Sequence, residues 1–408
     1  MFTELNNKGC DLYQQGNYKD AVEHFEKAAE GGYSKAQYNL ALCYYFGDGV
    51  EQNVDTALSL FNKAAEQNHS DACLFLGNAY LYGQDIDKDI DTAIKWFEKS
   101  AFFGNANAQN TLGELFSGAN NVKPDFKKAL FWFEKASVSG LTSAFNNLGV
   151  AYLNGLGTDK DAKKAVEYFT KGANLGDANA QNNLALCYEQ GNGVDADLKE
   201  AFNWYKKAAA QGEPRAQYNL AIYFEEGKMG EKDFSSALKW LEKSAAGKFL
   251  SAQYRLAIYY FNGLGCEKDE KKAVSSLNDA ANGGYIPAMR DLGNCYYRGI
   301  GVEKDLDKAV DLLSPVAEYG DVACMNLLAT VLTDRRGEND REDAFKWYKK
   351  AAEKGYSDAM YNLAKCYHRG KGVKKNDNLA LEWFKKCADL GDTDAKVMVD
   401  QITRELNK

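Results

Sequence analysis

The sequence predicts an all-α fold, a right-handed α/α superhelical solenoid of helix-turn-helix repeats. Three observations carry that expectation. An alanine follows an Asp or Asn by four residues at ten regularly spaced places, Ala57, Ala93, Ala129, Ala165, Ala201, Ala237, Ala273, Ala309, Ala344 and Ala380, 36 residues apart with one gap of 35. A second series, Ala36 to Ala359 with Cys324 in one place, leads a Leu four residues on and, in most repeats, an aromatic eight residues on. Glycines punctuate the segments between the two series. A period between twenty and fifty residues marks stacked repeats, and such stacks offer extended binding surfaces.

Bulk composition bounds the rest. A chain of 408 residues would by length alone suggest two or three domains. The unbroken period, four prolines and the lack of a Ser/Pro/Gly-rich linker predict one continuous domain instead. The formal charge of −8 argues against a nucleic-acid partner, which needs a basic stripe. No run of eighteen apolar residues predicts a membrane span. The start, MFTELNNKGCDLYQQGNY, lacks a basic segment followed by an apolar core, so a cytoplasmic location is the expectation, with secretion by a non-classical route left open. Four of nine cysteines, Cys43, Cys187, Cys295 and Cys366, share one repeat position without a regular partner, and no CxxC pair exists. They read as reduced, half-buried thiols serving as small apolar residues.

Each repeat justifies its elements in turn. With the Ala36-type residue as position zero, positions zero, four, five and eight fall on one arc of a helix, the first of the repeat. Gly-x-Gly follows in six repeats, as at Gly47/Gly49, Gly155/Gly157 and Gly370/Gly372. No strand pattern precedes these glycines and no GxGxxG completes them, so they read as helix-to-helix turns and not as phosphate loops. Asn53, Asp89, Asp125, Asp161, Asp197, Asp233, Asp269, Asp305, Asp340 and Asn376 come next, at the place of a helix N-cap. The run Asp85, Asp87, Asp89, Asp91 lacks the glycine and closing Glu of a calcium loop. The second helix carries the alanine, an aromatic pair and a small-residue pair. All six tryptophans, Trp96, Trp132, Trp204, Trp240, Trp347 and Trp383, fall in one of its columns, where packing of helix against helix outweighs a ligand stripe.

This pattern resembles the Sel1-like repeat family, whose units run A-x-x-x-L-G-x-x-Y-x-x-G-x-G and then D-x-x-x-A-x-x-W-F/Y-x-K-A-A-x-x-G. The likeness covers residues 36–394 as ten repeats. Residues 1–35 are similar to a tetratricopeptide repeat through Gly9, Ala21, Phe25 and Ala28, and residues 395–408 read as a capping helix. The resemblance implies a right-handed superhelix and a scaffold or adaptor role, with no shared ligand. Some secreted members carry a disulfide in each repeat, an arrangement these cysteines do not follow. The repeat beginning at Cys324 loses its aromatic and its first glycine and is one residue short. Pro315 falls inside an expected second helix, which it should kink or shorten, so residues 310–345 are expected to be irregular.

In the related tetratricopeptide architecture the first helices line the concave face, so positions two, six and ten are the candidate partner-binding surface. Asn110, Asn146 and Asn182 form a ladder at position two, and amides suit the backbone of an extended peptide. Tyr218, Tyr254 and Tyr361 share that column. Val150, Leu186, Ile222 and Ile258 make an apolar strip at position six. Packing between neighbouring first helices, or a solvated polar face, are the competing readings. Arg290, Arg298, Lys365, His368 and Arg369 form a basic region suited to an acidic segment or a C-terminal carboxylate. Glu189, Glu225 and Glu226 give the opposite sign between them.

Only His24, His69 and His368 are present, and no GxSxG, HExxH or nucleotide signature occurs. The expectation is a non-enzymatic protein-interaction scaffold, without cofactor or metal, that binds an extended peptide or helix of a partner protein in the groove. The alternatives are a small-molecule or cell-wall-fragment sensor and a secreted effector that targets host proteins. Oligomeric state is not legible.

Overall fold

A computed structural model describes residues 1–406 as 23 α-helices and one short 3-10 turn, with no strand among the described residues. The helices fall into two compact units, Met1–Gln211 and Gly212–Lys408. The first holds twelve helices, from Phe2–Gln14 to Leu198–Ala210, and the second eleven, from Pro214–Glu226 to Thr393–Leu406. Inside each unit every helix packs on the next in the chain, so each hairpin covers its predecessor.

The repeat of Thr142–Asn154 and Ala162–Asn174 shows why these residues fold this way. Ala144, Leu148, Ala151 and Tyr152 on the first helix and Ala165, Phe169 and Ala173 on the second are buried. Burying one such large side chain contributes roughly 1.5–3 kcal/mol. Gly149 is the socket for Phe169, because a Cβ there would collide with the ring. Gly77 does the same for Phe97, and Gly113 for Phe133. The position-zero alanines and the aromatic after the tryptophan column thus form the core, with Phe61, Phe97, Phe169 and Phe384 fully buried.

The two turn glycines have different tasks. Gly155, at φ 72°, ends the first helix in the left-handed region. A Cβ on Gly157 would strike the carbonyl of Phe126 in the previous repeat, so this glycine permits close stacking. Nine of the ten Asp/Asn residues at the start of the second helices accept a backbone N–H as N-caps, among them Asp161 from Lys164 at 2.9 Å. Hydrogen bonds from Thr92 to Asp89, and from the Lys308 amide to Asp305, hold those carboxyls below the ordinary range.

Residues 310–345 depart from this pattern as expected, but in the short repeat that begins at Cys324 and not by shortening the helix that holds Pro315. Pro315 sits within Leu306–Glu318, which keeps the usual 13 residues and is not shortened. The carbonyl deprived of its partner belongs to Asp311, an exposed residue in the middle of the helix, where water can satisfy it. The irregularity lies in the next turn. Val322–Arg335 runs to 14 residues and ends with Arg336 at φ 59°, where other repeats place glycine. Asp340 is not an N-cap. It lies inside Asp340–Glu353, 4% exposed, and accepts from Arg335 Nε at 2.9 Å and Nη2 at 2.6 Å and from the Gly337 amide at 2.6 Å.

All nine cysteines are free thiols. The shared column is fully buried, deeper than expected. Burial pushes the Cys43 thiol up to about 12 and those of Cys187, Cys295 and Cys366 up to about 11. They are neutral packing residues at physiological pH.

Candidate interaction surface

The second helices use their polar edges on themselves. The tryptophans are half-buried, and the lysine three residues on lies over the ring in most of them: Lys207 over Trp204 at 3.8 Å, Lys386 over Trp383 at 4.1 Å, Lys350 over Trp347 at 4.2 Å. That spacing puts both on one helix face. The column is structural, but its fully buried partner is the residue after it.

The first helices carry the candidate surface. At position two, Asn110 is buried, donates to Glu114 Oε1 at 2.8 Å and accepts from Asn147 Nδ2 at 3.0 Å. Asn146 accepts from Asn183 Nδ2 at 2.8 Å. Asn182 is buried, with its amide toward Asn183 at 3.5 Å. Position two of one repeat therefore meets position three of the next, 37 residues on. The same rung joins Asn39 to Asn6 at 2.9 Å and, in the second unit, Asn362 to Asn326 at 3.0 Å. Asn110 is a correction to the sequence reading: both ends of its amide are engaged inside the protein, so it ties repeats together and does not face a ligand.

Tyr254 is held likewise. Its hydroxyl donates to Asp291 at 2.8 Å, and burial together with that bond pushes it up to about 12. Tyr218 packs edge-on against Phe249 and Tyr361 against Phe384, each at 5.3 Å, so their rings belong partly to the core. Val150, Leu186, Ile222 and Ile258 are all half-buried.

Position six recurs in the cavities. In the first unit Leu42 lines a cavity of about 220 Å³ with Tyr13 and Phe46, and Val150 lines one of about 280 Å³ with Leu130 and Phe133. In the second unit Asn294 and Thr330 line a cavity of about 410 Å³ with Arg290 and Arg298. Lys365 lines a further one of about 370 Å³ with Arg369.

The basic region divides on inspection of its partners. Arg290 is neutralised by Asp291 at 3.1 Å and Asp321 at 3.3 Å. His368 leaves the cluster through its bond to Asp377 at 2.7 Å. Arg298 and Arg369 are exposed and have no carboxylate partner among the described residues. The acidic stretch is likewise engaged: Glu225 receives Arg255 Nε at 2.8 Å and the Tyr259 hydroxyl at 2.8 Å. Burial raises the Glu225 pKa, but these bonds outweigh it and the net shift is downward. In the first unit Tyr205 donates to Glu189 at 2.8 Å.

Sequence reasoning missed that triad and a buried glutamine column. Gln109 and Gln181 each donate to a carbonyl eight residues earlier at 3.1 Å, and Gln211 donates to Gln181 at 2.8 Å. The Ala-Gln pairs that open these helices were the available signal. Among the described residues no group of three or more His, Cys, Asp or Glu is placed to hold a metal ion, and no helix is long and apolar enough to cross a membrane.

Comparison with known proteins agrees with this architecture. Ten stretches match the family model described as Sel1 repeat: residues 34–69, 70–101, 106–140, 143–177, 178–213, 214–249, 250–284, 286–320, 322–356 and 357–392. Residues 6–47 match a tetratricopeptide repeat. Among solved structures, c5321, a protective antigen present in uropathogenic Escherichia coli strains and displaying an SLR fold, is 31% identical with a TM-score of 0.63. That match covers 93% of this chain and 82% of the other. A Sel1 repeat protein from Oxalobacter formigenes is 33% identical, covering 59% of this chain and 96% of its own, with a TM-score of 0.56. The DAP3-binding cell death enhancer 1 of Mus musculus is 41% identical over 54 residues, 13% of this chain, and the chain spans 11% of that relative. From residues 34 to 392 the repeats follow one another with hardly a break, and the chain belongs to the Sel1 repeat family.

Proposed function

We propose that this chain is a non-enzymatic scaffold that holds a segment of a partner protein along its first helices. Sel1 and tetratricopeptide repeat proteins commonly act as protein-interaction scaffolds, and the groove-binding mode is the finer reading put forward for this chain. One observation carries it: position six, half-buried at Leu42, Val150 and Lys365, lines cavities in both units and changes from apolar at Leu42 and Val150 to basic at Lys365. A surface whose chemistry changes from repeat to repeat can read a partner in register, through many modest contacts around a few anchors.

The test places a photo-reactive amino acid at Leu186 or Ile222, and at the exposed second-helix sites Glu167 or Lys239, and compares the proteins captured in cells. Capture of one partner from the first-helix sites alone is the expected result. Equal capture of it from Glu167 and Lys239, or none from any site, overturns the reading.

A further inference from the structure

The cavity at Lys365 departs from the rest of the stack. Five cations border it, Arg336, Arg341, Lys365, Arg369 and Lys371, around about 370 Å³. One carboxylate, Asp334, shares the wall, and it accepts the Tyr297 hydroxyl at 2.8 Å. None of the five cations has a carboxylate partner among the described residues. Arg255, Arg290 and Arg335 in the same unit each have one. In a chain with 58 acidic and 50 basic residues, that many uncompensated cations in one cavity is not the average outcome of a mixed surface.

The repeat itself shows that these residues are departures. Lys365 is the one cation in a column that otherwise holds apolar residues such as Leu42 and Val150, the neutral polar Asn78, Asn294 and Thr330, and the acidic Glu114. Arg341 is likewise the one cation in its column, where six repeats place a large apolar residue such as Val54 or Leu306 and two place the acidic Glu270 and Asp377. Arg336 takes the left-handed backbone that Gly299 and Gly370 take in the flanking repeats. Lys371 lies between Gly370 and Gly372, and the close approach of Gly372 to the Arg341 carbonyl brings that turn onto the start of Asp340–Glu353. Stacking requires none of these four changes, and together they place charge in one cavity. Residues that depart from local rules without serving packing mark functional sites.

We propose that this cavity binds a compact polyanion, a diphosphate or triphosphate group. Three guanidinium groups offer planar forks that match pairs of phosphoryl oxygens, and two ammonium groups supply point charges. An extended acidic segment spaces its same-side carboxylates about 7 Å apart, so only one or two reach a cavity of this size. A condensed phosphate brings three or four negative charges to the same volume. The ligand also relieves existing repulsion: Lys365 is half-buried, and burial together with Arg369 and Lys371 holds its pKa below the ordinary value. Its Nζ also lies over the Tyr361 ring at 5.2 Å, an attraction that supplies no counter-charge. The cavity is one of those the scaffold reading invokes, but polyanion binding there does not depend on that reading.

The test is calorimetric titration of the full chain with inorganic pyrophosphate and tripolyphosphate at about 0.1 M salt, with orthophosphate and hexaglutamate for comparison. Tripolyphosphate should bind at least about tenfold tighter than orthophosphate, as multiple charge-assisted contacts require. Arg336→Gly restores the residue the turn prefers, so it should fold normally and still lose affinity several-fold. The double variant Lys365→Met/Arg369→Ala should lose about tenfold or more. Arg298→Ala, in a separate cavity, should bind as the wild type does. No binding of either polyphosphate, an equal loss with Arg298→Ala, or tighter binding of hexaglutamate than of tripolyphosphate overturns the proposal.

Discussion

The repeat of Thr142–Asn154 and Ala162–Asn174 turns on Gly155 and caps its second helix with Asp161, whereas Val322–Arg335 and Asp340–Glu353 turn on Arg336 and bury Asp340. Both must reverse the chain and seat it on the previous repeat. The first does so through backbone freedom: a left-handed glycine, a second glycine against the Phe126 carbonyl and an exposed cap. The second does so through side-chain charge. Arg335 closes the turn onto Asp340 and reaches back to Asp307 at 3.0 Å, in the previous repeat. What the two share is the core behind the turn, Phe169 in one and Tyr348 in the other. A repeat therefore tolerates a new turn chemistry when its core column is kept, and the freed turn positions become available for arginine and lysine.

The largest effect belongs to that shared column. Phe169→Ala should cost roughly 3–5 kcal/mol, because the ring is fully buried against Gly149 and its removal leaves a cavity. Trp204→Ala should cost less, about 1–2 kcal/mol, since part of the indole stays in water and Lys207 lies over its ring. Urea unfolding of the two variants side by side decides the point. Equal losses would move the tryptophan column back into the core.

Next comes the buried ion pair. Arg335 and the Gly337 amide hold the Asp340 carboxyl below its ordinary value. Its folded pKa being depressed, its contribution is fully present above the unfolded value of about 3.9 and is lost as pH falls through the folded value. Asp340→Asn should destabilise the second unit by about 1.5–3 kcal/mol at neutral pH, the range for a hydrogen bond to a charged group. The gap between variant and wild type should close on acidification below that unfolded value. A gap that stays constant with pH would mean that Asp340 acts through shape alone.

Much of the fold was legible because its columns have side-chain chemistry that few residues can supply. An Asp or Asn four residues before a buried alanine can be little else than an N-cap, and nine of ten are. Where two chemistries fit one residue, the reading failed. Asp340 matches the cap column by spacing, but the longer preceding helix shifts it one residue into its own helix, where Arg335 claims it. Trp204 and Tyr205 are adjacent aromatics, and pattern alone does not tell which faces inward. Asn110 and Asn146 were visible as a column of amides. Their partners Asn147 and Asn183 lie one residue off that column and one repeat away, so contact between them depends on how neighbouring helices are rotated.

That rotation makes the asparagine rung the finest test of the comparison. Asn183 Nδ2 reaches Asn146 Oδ1 at 2.8 Å, whereas at the joint leading into the irregular repeat the corresponding residues, Arg290 and Leu327, form no such bond among the described residues, and the joint after it keeps its rung from Asn362 to Asn326. If the rungs fix register between regular repeats, Asn146→Ala and Asn183→Ala should each cost about 1 kcal/mol, the net worth of one neutral hydrogen bond. The double variant should cost less than their sum by about the same amount, because the second substitution removes a partner already lost. Additive losses would show that the two amides act independently. Asn146 would then return to the candidate partner surface, its amide free to bond to the backbone of a bound segment, and the ladder would be a binding device that also happens to pair.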